Sequence, residues 1–204
     1  MSEVDPIVAE WESRFDERWD SFWSRLSPIW RETLCGSRTE DPPDAAAILR
    51  RTRLTSDYGW LDYFGPIRCF PAVWEALLWD SNGMDLGLLA FTADGERRSW
   101  DRLLLGGPAN VDLEQLRGTP IRELILSAVD VRQVEALAEI PGLESLTLDL
   151  YGSSITLPEL PRLRQLTLYS NTQAYLPAAQ AHSDARIVRR DDHFCPPFGP
   201  GDVA

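Results

Sequence analysis

The sequence predicts an α/β chain in which a helical N-terminal part covers the open end of a short coil of parallel β-strands. Three observations predict it. Aromatic residues near the N-terminus recur at steps of three and four, a Leu-x-x-Leu-x-Leu pattern recurs at a near-constant period in the second half, and the hydrophobic period changes from helical to extended near residue 86. With 204 residues and 44% hydrophobic content, the chain has enough apolar side chains to bury a sizeable core. The expected organisation is a helical, aromatic-rich part over residues 1–85, a repeat coil over 86–192 and a Pro/Gly-rich tail over 193–204.

Asp5 and Pro6 form a cap and first-turn pair, followed by Trp11, Phe15, Trp19, Phe22, Trp23 and Leu26 along one helical face. Ser27-Pro28 ends that helix and starts a shorter one carrying Ile29, Trp30 and Leu34, which stops at Gly36. "GSRTEDPPD" (36–44) reads as a loop, with Asp44 capping a further helix, "AAAILRRTRL". "YGWLDYFGP" (58–66) reads as a loop, and "FPAVWEALLWDSNG" (70–83) as a helix on the spacing of Val73, Leu77 and Leu78 with an Asn-Gly stop. From Leu86, "LGLLAFTADG" and "ERRSWDRLLLGG" read as extended, with a hairpin over Leu86 to Leu105 as the first layer of the coil.

The repeats are Trp100-x-x-Leu103-x-Leu105, Ile121-x-x-Leu124-x-Leu126, Leu143-x-x-Leu146-x-Leu148 and Leu163-x-x-Leu166-x-Leu168. A fifth, degraded copy falls at "ARIVRRDD", one period further on and starting at Ala185. A period of roughly 20 to 29 residues with this leucine pattern marks a solenoid whose turns bury one continuous core. The Trp-Asp pair after an Asp-Gly turn in "LLAFTADGERRSWDRLLL" is superficially like a β-propeller blade, but blades need about 40 to 45 residues each and no second copy exists.

Residues 100 to 192 resemble the leucine-rich repeat family. The resemblance implies one short parallel strand per repeat, leucines pointing inward, and alternate residues facing out from a concave sheet that serves as a binding surface. The family places asparagine or cysteine ninth in the repeat, where it bonds the turn backbone. The equivalent residues here are Pro108, Val129, Tyr151 and Asn171, so only Asn171 fits. Strand alternation then nominates the outward row: Arg102 and Leu104; Glu123, Ile125 and Ser127; Ser145, Thr147, Asp149 and Tyr151; Gln165, Thr167, Tyr169 and Asn171. Two tyrosines among mixed polar groups suit protein recognition.

Composition narrows the partner. The net charge of −12 is spread along the chain, with 18 acids and 11 bases before residue 100 and 14 and 9 from there on. Such a chain repels nucleic acid and anionic membrane and attracts a basic partner. No apolar run reaches the length of a membrane span, and the N-terminus carries acids where a secretory signal carries bases, so the expected address is the cytoplasm. Three well-separated cysteines, Cys35, Cys69 and Cys195, fit buried thiols in a reducing compartment.

Catalytic signals are weak. His182, His193 and Cys195 lack the paired spacing of a tetrahedral metal site, and nothing local marks an activated Cys-His nucleophile. "LLLGGPAN" is a turn, without the glycine spacing of a phosphate loop. The tryptophan face of the first helix has acids where membrane docking needs bases, and reads as core packing. The expectation is a non-enzymatic protein-binding module without cofactor or metal. In its sharper form it is an acidic inhibitor or immunity-type protein acting on a basic toxin or nuclease. The alternatives are a regulatory or scaffold subunit and an enzyme with an unfamiliar site in the helical part.

Overall fold

Seven strands lie side by side in chain order, every neighbouring pair parallel. This computed structural model describes residues 20, 22–35, 41, 43, 48, 51–56, 64–70, 72–79, 85–92, 95–107, 110–127, 130–177 and 185–194. Its strands are β1 (Arg53–Thr55), β2 (Glu75–Trp79), β3 (Trp100–Gly106), β4 (Asn110–Asp112), β5 (Ile121–Ser127), β6 (Asp130–Arg132), β7 (Ser145–Asp149), β8 (Ser154–Thr156), β9 (Gln165–Leu168), β10 (Gln173–Tyr175) and β11 (Arg186–Arg189). The large sheet runs β1-β2-β3-β5-β7-β9-β11, while β4 pairs with β6 and β8 with β10 in two small parallel ladders. The fold is α/β with a mostly parallel sheet and few helices.

The leucine pattern dictates this arrangement. Leu103, Leu124, Leu146 and Leu166 are in register across β3, β5, β7 and β9, as are Leu105, Leu126, Leu148 and Leu168. Each points to the same side and is at most 3% exposed. Full burial of one such side chain contributes about 1.5–3 kcal/mol, so each strand brings two strong reasons to keep this register. Return segments add to the same core: the 3₁₀ turns η2 (Leu113–Leu116) and η3 (Val134–Glu139) bury Leu113, Leu116 and Leu137, and later turns bury Leu157 and Leu160. Asp112 caps η2 by accepting the Glu114 N–H at 3.1 Å.

The N-terminal segment joins this core too. Residues 22–25 are helical, the chain bends at Leu26, and α1 (Pro28–Cys35) follows as expected. Ser27 Oγ accepts the Trp30 N–H at 3.4 Å. Phe22, Trp23, Leu26, Trp30 and Leu34 are buried in one cluster with the inward leucines, and α1 packs against β1. Of the cysteines, Cys69 is buried and Cys35 half-buried. Trp11, Phe15 and Trp19 lie outside the described residues, as does most of the 36–50 stretch.

Four expectations need correction. The stretch 70–83 is not a helix: Glu75–Trp79 is strand β2 in the sheet. The adjacent Leu77 and Leu78 are both buried, on opposite faces, and a strand covered on both faces gives an apolar run that helical spacing fits equally well. The end of the helix expected over 45–54 is strand β1, in register with β2. The extended reading from Leu86 gives way to a helical turn, α2 (Gly87–Ala90), followed by a tight turn at Gly95 (φ +85°) and one antiparallel bridge, Phe91 to Arg97. The stretch expected as a fifth copy forms strand β11, but Ile187, not Val188, aligns with Leu166, so its register is one residue earlier than a start at Ala185 implies. That slip turns Val188, beside Thr167, from the inward to the outward face.

Arg98 explains how the chain between β2 and β3 is held. It is 3% exposed and donates to the carbonyls of Phe70 and Val73 at 3.0 Å and of Ile67 at 2.9 Å, with its guanidinium 5.0 Å over the Trp100 ring. One cation thereby serves three carbonyls in and after the 3₁₀ turn η1 (Gly65–Cys69), where the backbone is irregular and buried. Trp100 is fixed in turn by donating Nε1–H to the Leu89 carbonyl at 2.9 Å.

Candidate functional site

Strand alternation sends one set of side chains inward and the other onto the opposite face, and parallel register stacks the second set into rows. The first row is Arg53, Glu75, Arg102, Glu123, Ser145, Gln165 and Arg186. The second is Thr55, Leu77, Leu104, Ile125, Thr147, Thr167 and Val188. The third runs from Gly106 through Ser127 to Asp149, and continues to Tyr169 and Arg190 through the bonds Tyr169 N–H to Leu148 O and Arg190 N–H to Leu168 O, both 2.9 Å.

The first row begins as an ion-pair ladder. Arg53 binds Glu75 through Nε at 2.8 Å and Nη2 at 3.0 Å. Arg102 binds Glu123 through Nε at 2.9 Å and Nη2 at 3.3 Å, and reaches Glu75 at 3.5 Å. The hydrogen bond to Glu123 and the nearby carboxylates hold the Arg102 pKa above its ordinary value, against the opposing effect of burial. From Ser145 the ladder loses its charges until Arg186. In the second row, Leu77, Leu104 and Ile125 form a small apolar cluster of their own, against which Phe194 packs. A concavity of about 370 Å³ opens over these rows, lined among others by Arg102, Ile125, Thr147, Tyr169, Val188 and Phe194.

The expected outward residues are therefore brought together, with differences. Arg102, Glu123, Ser145 and Gln165 share the first row and Thr147 and Thr167 the second; the two threonines are nearly buried. Asp149 is 1% exposed and Tyr169 half-buried in the third row. Tyr151 and Asn171 lie past the strand ends, both exposed and both with left-handed backbone, at φ +48° and +57°. The side chain that bonds the turn backbone here is Thr172, beside Asn171: it accepts the Leu150 N–H at 2.8 Å while 1% exposed. Pro108 and Val129 lie outside the described residues.

Sequence reasoning misses Arg53, Glu75 and Leu77, because their strands read as helix, and Val188, because of the slipped register. It also misses the segment that crosses this face. After β11 the chain turns back, and Asp192, His193 and Phe194 meet the ends of β7 and β9. Ser170 N–H donates to the Asp192 carbonyl at 3.2 Å, and Ser170 Oγ shares a hydrogen bond with His193 Nδ1. Phe194 N–H donates to Asp149 Oδ2 at 2.7 Å. The Phe194 ring meets Tyr169 edge-on at 5.5 Å, and the His193 ring lies 5.1 Å from Tyr151.

Comparison with known proteins matches the chain to no family model, no curated protein and no solved structure. Among the described residues, no group of three His, Cys, Asp or Glu side chains is placed to hold a metal ion, and no helix is long and apolar enough to cross a membrane. His182 and Cys195, weighed as partners of His193, lie outside the described residues.

Proposed function

We propose that the chain is a leucine-rich-repeat-like solenoid, closed at one end by its N-terminal helices, that binds a protein partner without catalysis through the outward face of its sheet. The observation that supports this most is the row structure of that face: an apolar strip flanked by polar groups over several strands, concave, with Tyr169 lining it and Tyr151 exposed past the end of β7. An apolar centre with aromatic and polar surroundings is the composition of protein-recognition surfaces.

In its sharper form this is an inhibitor or immunity-type protein that neutralises a basic toxin or nuclease in the cytoplasm. The support is the net charge of −12. The face itself is balanced, with Arg53, Arg102, Arg186 and Arg190 set against Glu75, Glu123 and Asp149. Charge attraction therefore acts at long range and speeds encounter, while the close contacts are mixed in sign.

The test is capture from native cell extract on the immobilised chain, repeated with the folded Tyr151→Ala plus Tyr169→Ala variant. A partner lost or weakened at least tenfold by the double substitution supports the face; equal recovery would falsify it. Co-expression with the captured partner separates the sharper form from its main rival, because an inhibitor relieves toxicity while a scaffold subunit co-purifies without protecting the cell.

A further inference from the structure

We propose that the outward face takes an extended peptide segment bearing an aromatic side chain, and that residues 191–194 of this chain are its resident occupant, which a partner must displace. The proposal rests on the protein-binding reading above and names the kind of segment that is bound. Four successive kinds of contact seat these residues. The Asp192 carbonyl accepts from Ser170 N–H, the His193 ring is held by Ser170 Oγ and lies against Tyr151, the Phe194 N–H is taken by Asp149, and the Phe194 ring packs on Tyr169 and on the Leu77, Leu104 and Ile125 cluster.

Asp149 is the residue that marks this as a site for backbone. A carboxylate that is 1% exposed needs donors, because burying its charge without them is costly. Asp149 receives one from Phe194, 45 residues away in sequence, while its Oδ1 takes no hydrogen bond among the described residues. The His193 Nδ1 is 3.8 Å from that oxygen, beyond hydrogen-bond reach. The segment therefore meets only part of what Asp149 can accept. A partner segment that brings a second donor to Oδ1 outcompetes the tethered one. Its aromatic residue must keep a backbone N–H for Asp149, so N-methylation at that position abolishes the fit.

A tethered segment has an effective concentration of about the millimolar range, so its seating needs only weak intrinsic affinity and leaves room for displacement by a better ligand. The occupant acts as a threshold that keeps the apolar strip covered until such a ligand arrives.

The test uses the full chain and needs no native partner. Amide hydrogen exchange should show the Phe194 N–H protected in the wild type, and Phe194→Ala or Asp149→Ala should speed exchange over residues 192–194 at least tenfold while β5 and β7 keep their protection. A labelled peptide of residues 188–194 should bind the Phe194→Ala chain with a millimolar or tighter Kd, bind the wild type at least tenfold more weakly, and lose binding when its own phenylalanine becomes alanine. A Phe194 amide exchanging as fast as an unstructured peptide in the wild type overturns the resident occupant and leaves partner binding by this face standing. Equal peptide binding to wild type and variant, or none to the variant, overturns the groove's preference. Loss of captured partner in the tyrosine double variant, with a freely exchanging Phe194, separates the two readings.

Discussion

The outward face is built differently in its two halves, although one parallel sheet carries both. Over β1 to β5 the first row is an ion-pair ladder, Arg53 to Glu75 to Arg102 to Glu123, and the second row is the apolar trio Leu77, Leu104 and Ile125. Over β7 and β9 the same positions hold Ser145 and Gln165, then Thr147 and Thr167. The first half satisfies itself: each charge has an opposite neighbour one strand away, at the spacing where cross-strand pairs interact. The second half leaves polar capacity over, most plainly at Asp149, and there the segment 191–194 comes to rest. Parallel register thus fixes where side chains stand, and the choice at each outward position decides whether its polar capacity is already met by a neighbour.

The largest expected effect tests the structural half. Leu104 faces outward but is 0% exposed, so Leu104→Ala should cost about 2–3 kcal/mol in denaturant unfolding, as a core leucine does. Thr147→Ala, the same row two strands on, removes only a methyl and a hydroxyl from a side chain that is 6% exposed and should cost about 1 kcal/mol. Similar costs at the two positions would erase the distinction. Next comes Glu75→Ala. Its carboxylate is 6% exposed and bridges Arg53 and Arg102, which are themselves 48% and 37% exposed and can rehydrate. The expected loss is about 2 kcal/mol, below that of a fully buried pair. Glu123→Ala, at 26% exposure and with Arg102 as partner, should cost less than about 1 kcal/mol by the same measurement.

The fold is legible in the sequence where leucines recur. Strands β3, β5, β7 and β9 follow from their near-constant spacing, and with them the outward residues Arg102, Glu123, Ser145 and Gln165. The same pattern continues upstream as Val73-x-x-Ala76-x-Leu78, but Ala76 stands where leucine is expected, and its pairing with Leu103 spans a longer step than any between the later strands. Ala76 is 0% exposed and belongs to the same core cluster as the N-terminal aromatics, a neighbourhood that only tertiary packing reveals. The docked segment is illegible for a stronger reason. Nothing within "DDHFCPPF" encodes a contact with Asp149; the phenylalanine among polar and proline residues is the one local hint. Arg98 gives no signal either, because its three carbonyl partners lie 25 to 31 residues away.

The smallest stability effect sharpens the contrast most. Ser145→Arg with Gln165→Glu extends the ladder, since the new guanidinium would stand beside Glu123 and the new carboxylate between that guanidinium and Arg186. Such half-exposed pairs contribute little, so the double variant should gain no more than about 1 kcal/mol in thermal unfolding. Binding should respond far more strongly. Two long charged side chains paired across β7 and β9 would stand among the polar groups that flank the apolar strip a partner is proposed to use. Capture should fall at least tenfold, while the Phe194 amide, held by third-row residues, should keep its protection. Retained capture by a variant with a completed ladder would move the partner's contacts off these strands and end the division between the two halves.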